Sequence, residues 1–336
     1  MIRAFGRRAR RYEVLPEPTP HLVVHSQKDF TCWPASATEC TPRLLANHYN
    51  GCSHECFFCY ARALPGYFAG CEADGCVAVF EGLERNIEKR LSRLEKIFPV
   101  QLSPATDPFQ PLNQRYELTE RIIEVLVRHG VPADVISKGR YSEEAVRLLA
   151  RHPCSLGQVT ILTPREEVRR KLMKGGAATE QLFENLARLR AAGVFAVLRL
   201  DPIIPGVTDD LDDLREVMRD AVAAGAQHVI VSAMRIPYTM RGQVFDYLAT
   251  LGAEQQVMRT LYKDHYDGSL HPTWAYRKPL FDELSAAAKR GGVTFALCRE
   301  FVVEGRRLRG LNRDYCTAEN CEGRREVSQK RQLLLS

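Results

Sequence analysis

The sequence predicts an α/β fold in which helices cover a parallel β-sheet. Six short apolar runs of strand type alternate with helical patterns between residues 43 and 234. These runs are apolar on both faces, which is typical of parallel strands buried between helices. Right-handed crossovers would wind such a sheet into an open doubly wound sheet or a curved barrel. In either fold, the carboxyl ends of the strands carry the functional site.

The predicted elements follow one another in a regular order. Strands are expected at 43–49, 99–105, 132–138, 156–163, 194–204 and 227–234, and helices at 79–98, 117–130, 142–152, 165–173, 179–192 and 209–224. Ser142 is placed as the capping residue of its helix. We therefore divide the chain into an N-terminal extension (1–42), a core (43–240) and a C-terminal segment (241–336). The alternation is expected to fade in this last segment, which would pack over the mouth or the base of the core.

Length and composition narrow the class of protein. The chain has 336 residues, a net charge of +6 and dispersed basic residues, which allows an anionic substrate without requiring one. No surface rich in both basic and aromatic residues is indicated, so we expect a small-molecule substrate and no nucleic-acid partner. No apolar run approaches the roughly 20 residues of a membrane span. Without a secretory signal, we expect a cytoplasmic protein whose eleven cysteines serve metal or redox chemistry rather than disulfides.

Three of these cysteines lie together in the stretch NGCSHECFFCY, directly after the first predicted strand. Cys52, Cys56 and Cys59 have the spacing C-x3-C-x2-C. Thiolates suit iron–sulfur clusters, zinc and Cu(I). A structural zinc site would need a fourth ligand, for which His54 or His48 is near. An iron–sulfur cluster on three cysteines would instead leave one iron open to a substrate or cosubstrate. The spacing alone leaves both interpretations open.

The motif in its context resembles that of the radical S-adenosylmethionine (SAM) superfamily, including the aromatic Phe58 before the last cysteine. The resemblance implies a 4Fe–4S cluster on Cys52, Cys56 and Cys59, with SAM on the open iron. An external donor such as flavodoxin or ferredoxin would supply the electron that cleaves SAM to a 5′-deoxyadenosyl radical. That radical would abstract a hydrogen atom from the substrate. The resemblance also implies a partial (βα)6 TIM-like barrel over 43–240.

Within the superfamily, residues 47–62 are similar to the group that includes spore photoproduct lyase. The segments SPATDPFQP (103–111), VISKG (135–139) and LDPIIPGVTDD (200–210) also fit that group. The resemblance implies contacts with SAM from Thr106 and Asp107 to the methionine amino or ribose groups, from Lys138 to the carboxylate, and from Phe58 or Tyr60 to the adenine.

Arg199 is a second candidate for the SAM carboxylate. It lies between apolar residues of a predicted strand, where an unpaired charge would be costly, so it needs a partner. Either the SAM carboxylate or Asp201 could be that partner.

One position departs from the pattern of the lyase. The residue aligned with the cysteine that returns a hydrogen atom to the lyase product is Pro104, and proline has no such hydrogen. We therefore expect a different substrate, such as a nucleotide or nucleoside-sugar biosynthetic intermediate that forms a carbon–carbon bond. The alternatives are a photoproduct-lyase-like DNA repair enzyme and a non-enzymatic zinc- or cluster-binding module.

The C-terminal segment contains three further cysteines, Cys298, Cys316 and Cys321. They suggest a second iron–sulfur cluster, a zinc site that fixes the segment, or ordinary thiols, since a free cysteine packs as a small hydrophobe.

Overall fold

The structure is a computed structural model of the chain. It describes residues 2–4, 9–11, 13–26, 28–33, 43–64, 76–94, 96–305, 307–323 and 329–330.

An eight-stranded sheet forms the centre of the described residues. Its seven parallel strands, numbered in chain order, are β1 (Arg43–Ala46), β2 (Val100–Leu102), β3 (Ala133–Ser137), β4 (Leu156–Thr160), β5 (Phe195–Ile203), β6 (His228–Ala233) and β7 (Thr294–Leu297). An antiparallel strand, Thr31–Trp33, pairs with β1 and forms the edge opposite β7. The six strands predicted from the sequence are all present in this sheet.

The strand order decides between the two expected arrangements. Neighbouring strands follow the order of the chain from β1 to β7 without a reversal. A doubly wound sheet reverses its order at a switch point, whereas sequential order is typical of barrels. The observed sheet is open, because β7 and Thr31–Trp33 are its two edges.

The sheet continues beyond the boundary predicted near residue 240. The helix Trp274–Arg290 leads into β7, which pairs in parallel with β6. The prediction that the alternation fades after 240 is therefore wrong for this stretch. A hairpin and two short helices lie between β6 and the helix that leads into β7. Because of this insertion, the sequence pattern does not show that the alternation resumes.

Helices pack on the outside of the sheet around a continuous apolar core. They are Leu83–Leu91, Leu118–Arg128, Glu143–Ala150, Thr179–Ala191, Leu211–Ala223 and Trp274–Arg290. The helices Pro111–Tyr116 and Glu166–Leu172 instead contribute Leu112 and Leu172 to smaller apolar clusters. The cap predicted for one of them is confirmed, because Ser142 Oγ accepts a hydrogen bond from the backbone N–H of Ala145 at 3.1 Å.

The helix predicted at 79–98 is wrong at both ends, because the observed helix spans Leu83–Leu91 and Lys96–Ile97 is a short strand. Val77–Glu81 is a strand that pairs in parallel with His21–His25, outside the main sheet. Gly82 then turns the chain with a φ of 81° before the helix begins at Leu83. That pairing joins segments far apart in the chain, so the local pattern does not indicate it.

Smaller elements surround this core. They are the strands Ile2–Ala4, Ala9–Arg11, Tyr49–Asn50, Lys96–Ile97, Ile236–Pro237, Tyr262–Tyr266, Ser269–Pro272, Phe301–Glu304, Arg307–Gly310 and Gln329–Lys330, the helices Arg241–Thr250, Gln255–Leu261 and Asn312–Tyr315, and the 3-10 turns Tyr60–Ala63 and Tyr238–Met240. No helix in the described part of the chain is both long and apolar enough to cross a membrane.

Cys321 and Glu322 of the C-terminal segment lie at the base of the sheet. Arg43, the first residue of β1, donates to Glu322 at 2.5 Å, and Gln158 of β4 donates to the same carboxylate at 2.6 Å. His228, the first residue of β6, contacts the carbonyl oxygen of Cys321 at 3.2 Å. These contacts lie towards the amino ends of the strands and leave the carboxyl ends to form a cavity.

Candidate active site

A cavity of about 250 Å³ opens at the carboxyl ends of the parallel strands. All nine residues predicted for the cluster and SAM line it, namely Cys52, Cys56, Phe58, Cys59, Tyr60, Thr106, Asp107, Lys138 and Arg199. Their loops are far apart in the chain, but parallel strands bring their carboxyl ends to one edge of the sheet.

The cysteine loop follows the short strand Tyr49–Asn50 and is held by backbone contacts. The N–H of Cys59 donates to the carbonyl of Cys56 at 3.2 Å, which curls the motif into a turn. The N–H of Ser53 donates to Gln110 Oε1 at 3.3 Å, and the N–H of Gly175 donates to the carbonyl of His54 at 3.2 Å. The loop is therefore fixed from two sides.

The three thiols lie in an environment that disfavours charge. Burial raises the pKa of Cys52, Cys56 and Cys59, that of Cys56 to about 12, although Lys138 lowers the pKa of Cys56 and Cys59. Metal binding would therefore have to displace their protons. Among the described residues, no group of three or more Cys, His, Asp or Glu side chains is arranged to hold a metal ion.

Asp107 connects the cysteine loop to β3. Its carboxylate accepts hydrogen bonds from Ser137 Oγ at 2.7 Å and from the backbone N–H groups of Lys138 at 2.7 Å and Phe109 at 2.9 Å. His54 Nδ1 lies 3.4 Å from Asp107 Oδ2. Burial favours the neutral acid, but the charge of His54 and these hydrogen bonds outweigh it and lower the pKa of Asp107 to about 2. The carboxylate is thus committed to protein partners.

Lys138, the residue after β3, extends towards the cysteine loop. Its Nζ lies 6.0 Å from the centre of the Phe58 ring, at the limit of a cation–π contact. No carboxylate pairs with its ammonium group among the residues that the structure describes. Lys138 is therefore available to an anionic ligand beside the cysteines.

Tyr60 connects the cysteine loop to two other strand ends. Its hydroxyl donates to the carbonyl of Pro104 at 2.8 Å, and the guanidinium of Arg235 lies 4.6 Å from its ring centre. Pro104, where the lyase-like pattern has a cysteine, thus lines the cavity and accepts a hydrogen bond there.

The buried guanidinium of Arg199 is paired with a carboxylate of the same strand. Its guanidinium forms an ion pair with Asp201 and donates to Gln158 Oε1 at 2.7 Å. Although burial opposes it, the pair with Asp201 raises the pKa of Arg199. Of the two partners considered from the sequence, Asp201 is the one in contact.

Two threonine hydroxyls in the cavity have no hydrogen-bond partner among the described residues. Thr106 Oγ1 and Thr160 Oγ1 are buried and unsatisfied. Buried polar groups are nearly always paired in native proteins. Together with the free ammonium of Lys138, these orphaned groups fit a cavity that holds a polar, partly anionic ligand.

The three C-terminal cysteines have different surroundings. Cys298 follows β7, lines the cavity and accepts a hydrogen bond from Arg199 at 3.2 Å. Cys321 lies at the base beside Arg43, and Cys316 Sγ contacts the carbonyl oxygens of Ala318 and Asn320 at 3.4 Å. The structure thus places only Cys298 in the cavity, and an auxiliary metal site on all three stays a prediction.

Sequence reasoning missed several cavity residues. Arg235, His271, Arg299 and Glu300 all line the cavity, as does His54, which the sequence offered only as a possible zinc ligand. Arg235 could have been found, because it lies just beyond the carboxyl end of β6. His271, Arg299 and Glu300 depend on β7 and on the hairpin before it, whose positions the sequence pattern does not indicate.

Comparisons with known proteins agree with this geometry. Residues 46–221 match a family model described as the radical SAM superfamily. The chain is 26% identical over 327 residues to a protein of Pseudomonas phage M6 named radical SAM Nalpha-GlyT isomerase, covering 91% of this chain and 67% of that relative. It is 27% identical over 251 residues to an uncharacterized protein of Mycobacterium tuberculosis, covering 72% of this chain and 73% of the relative.

Among solved structures, the fold is similar to that of spore photoproduct lyase complexed with dinucleoside spore photoproduct. The TM-score is 0.64, with 12% sequence identity and coverage of 84% of this chain and 82% of that chain. At this identity the likeness concerns the fold alone.

Proposed function

The chain belongs to the radical SAM superfamily, and on that basis we propose that Cys52, Cys56 and Cys59 ligate the 4Fe–4S cluster at which SAM is reductively cleaved. The superfamily implies both SAM and the cluster, and its chemistry is that of an enzyme. When bound, cluster and SAM supply a 5′-deoxyadenosyl radical for hydrogen abstraction. The observation that carries the proposal is that the three motif cysteines line one cavity with the free ammonium of Lys138.

In this proposal the side chains around the cysteines position SAM. Lys138 would pair with its carboxylate, because no carboxylate of the described residues neutralises the ammonium. Thr106 Oγ1 is buried without a partner and would bind a polar group of SAM. Phe58 and Tyr60 would flank the adenine. Arg199 is a weaker candidate than Lys138, because Asp201 already pairs with it.

Asp107 has a supporting role in the same proposal. Its oxygens accept hydrogen bonds from the β3 end and lie beside His54 of the cysteine loop. It would therefore fix the position of Lys138 relative to the cysteine loop instead of contacting SAM through a free oxygen.

The remaining parts of the proposal concern architecture, substrate and partners. We expect the sheet to curve as a partial (βα)6 barrel, since residues from β1 to the end of β7 line one cavity. The substrate would be a small molecule such as a nucleotide or nucleoside-sugar intermediate that forms a carbon–carbon bond. A flavodoxin or ferredoxin would donate the electron.

Repair of a DNA photoproduct is a second candidate function. Its support is the fold shared with spore photoproduct lyase over 84% of this chain. Against it stands Pro104, which cannot return a hydrogen atom to a repaired base. Conversion of a dinucleoside photoproduct by the reconstituted enzyme would favour this candidate over a biosynthetic reaction.

The cluster assignment is tested by anaerobic reconstitution. We expect about four iron atoms per chain and 5′-deoxyadenosine from SAM and dithionite. Cys56→Ala should abolish 5′-deoxyadenosine formation, because the cluster loses one of its three protein ligands. Cys154→Ala is the matched control, since this cysteine does not line the cavity.

Two results would contradict the assignment. One is SAM cleavage that survives Cys56→Ala. The other is a wild-type protein that retains zinc and no iron, which would favour the non-enzymatic zinc-binding module.

A further inference from the structure

The cavity contains more positive charge than its own acids neutralise. Of its basic side chains, Arg43 pairs with Glu322, Arg199 with Asp201 and Arg299 with Asp267. The cavity acids are committed as well: Asp107 to Ser137, the Lys138 backbone and His54, Asp201 to Arg199, and Glu300 to Arg277 at 2.5 Å. Within the described ranges, this leaves Lys138 and Arg235 without a carboxylate. Lys138 is assigned above to SAM, which leaves the half-buried Arg235 available to a second anion.

Arg235 is held in a geometry that suits anion binding. It lies two residues beyond the end of β6, and its guanidinium lies over the Tyr60 ring at 4.6 Å. An arginine stacked on an aromatic face keeps the N–H groups at its edge free. Two of these can bind both oxygens of a carboxylate or phosphate at once.

His271 supplies a second unused polar group in the same cavity. Its side chain is 3% exposed, and Nε2 is buried with no hydrogen-bond partner in the part of the chain that the structure describes. The ring packs edge-on against Phe301 at 4.8 Å, which fixes its orientation.

The charge state of His271 follows from its neighbours. Burial, and then the cations Arg277, Arg235 and Arg299, lower the pKa of His271 to about 3, against a backbone hydrogen bond to Tyr266 that raises it. The imidazole is therefore neutral near pH 7. Because one nitrogen is committed to the backbone carbonyl, Nε2 is the acceptor.

We propose that Arg235 and His271 form the substrate-recognition subsite of the cavity. It would take a small molecule that carries an oxyanion, either carboxylate or phosphate, next to an O–H or N–H group. Arg235 pairs with the oxyanion, and Nε2 of His271 accepts a hydrogen bond from the neighbouring donor. This inference rests on the proposed function, in which SAM occupies the side of the cavity near Lys138.

The subsite is tested by calorimetric titration of the reconstituted, SAM-saturated full chain. The probes are inorganic phosphate, lactate and acetate, of which acetate lacks a hydroxyl group next to its carboxylate. Arg235→Gln should weaken phosphate and lactate binding by about tenfold or more, because a charge-assisted pair is lost. His271→Ala should reduce lactate affinity to that of acetate. Tighter binding of phosphate or of lactate by wild type identifies which oxyanion the site prefers.

A matched variant and a conservative variant control for charge and folding. Arg241→Gln removes the same charge from an exposed residue outside the cavity and should leave anion binding unchanged. Arg235→Lys keeps the charge and should retain part of the affinity. If Arg235→Gln fails to fold, the subsite is tested in wild type by titrating phosphate with and without SAM. The proposal requires that phosphate and SAM bind at the same time.

The proposal is overturned if wild type binds none of the probes, if Arg235→Gln binds them as tightly as wild type, or if SAM displaces them. Displacement by SAM would assign Arg235 to the cosubstrate. Absence of 5′-deoxyadenosine formation in wild type would instead count against the proposed function. Anion binding would then still test the subsite.

Discussion

At the scale of single residues, Asp107 shows how one carboxylate organises the candidate site. It accepts hydrogen bonds from β3 and contacts His54 in the cysteine loop, so it joins two of the loops that line the cavity. The resemblance implies a contact between Asp107 and SAM, which stays a prediction; the structure places Asp107 in the lining of the cavity. Its hydrogen bonds indicate a structural contribution as well.

Asp107→Asn should destabilise the protein in a pH-dependent manner. The pKa is lowered in the folded state, so the carboxylate stabilises the fold above about pH 4, and this contribution is lost as pH falls towards 2. One to two pKa units correspond to about 2 kcal/mol. Urea unfolding at pH 7 should show this loss, and the difference from wild type should shrink below pH 4.

Asp246→Asn is the control for that measurement, because this residue is exposed and outside the cavity. A stability difference for Asp107→Asn that stays constant from pH 7 down to acidic pH would contradict the role given to its charge.

Residue-scale predictions succeeded where a motif fixes position and chemistry together. The cysteine spacing, and the contacts that the resemblance to the superfamily implies, named nine residues that line the cavity. What each side chain contacts did not follow from the sequence. Arg199 could have paired with SAM or with Asp201. The two residues are two positions apart in β5 and so lie on the same face, which allows their contact, but the sequence alone does not choose between the two partners.

At the scale of elements, the cysteine loop depends on close backbone packing with the segment after the helix Glu166–Leu172. A Cβ atom added at Gly175 would lie 2.8 Å from the carbonyl oxygen of Ser53 and 3.0 Å from the Cα atom of His54. On the other side, the Phe57 ring stacks on Tyr247 at 4.5 Å. The loop is thus clamped between two elements that the motif itself does not include.

Gly175→Ala should therefore displace the cysteine loop and lower cluster incorporation. Overpacking of this kind lowers the free energy of unfolding by about 1–3 kcal/mol. The strain acts on the cysteine loop, because the atoms that a Cβ would meet belong to Ser53 and His54 and not to the sheet. Iron per chain after reconstitution should drop, while circular dichroism shows an intact fold.

Gly242→Ala is the matched control for this substitution, because nothing lies within 4 Å of a Cβ at that position. Full iron content in Gly175→Ala would show that the clamp does not hold the loop.

Strands and helices of the core were predictable because each has its own periodicity. The sequence places β3 at 132–138 and the structure at Ala133–Ser137. The pairing of Val77–Glu81 with His21–His25 could not be predicted, since it depends on a contact between distant segments.

At the scale of the whole molecule, the amino and carboxyl ends of the parallel strands differ in what they contact. Glu322 of the C-terminal segment covers the base by accepting hydrogen bonds from Arg43 of β1 and Gln158 of β4. The opposite end gathers the cysteines and the free cations Lys138 and Arg235. The sequence indicated the cysteines of the segment but not that β7 would carry the chain back into the sheet.

The central claim is that three cysteines leave one iron open to SAM at the carboxyl end of the sheet. Mössbauer spectroscopy of the protein reconstituted with isotopically enriched iron tests it most directly. We predict a 4Fe–4S spectrum in which one iron changes on addition of SAM while the others do not, and which is absent in Cys56→Ala. A spectrum that SAM leaves unchanged, or a protein that assembles no cluster, would contradict the account.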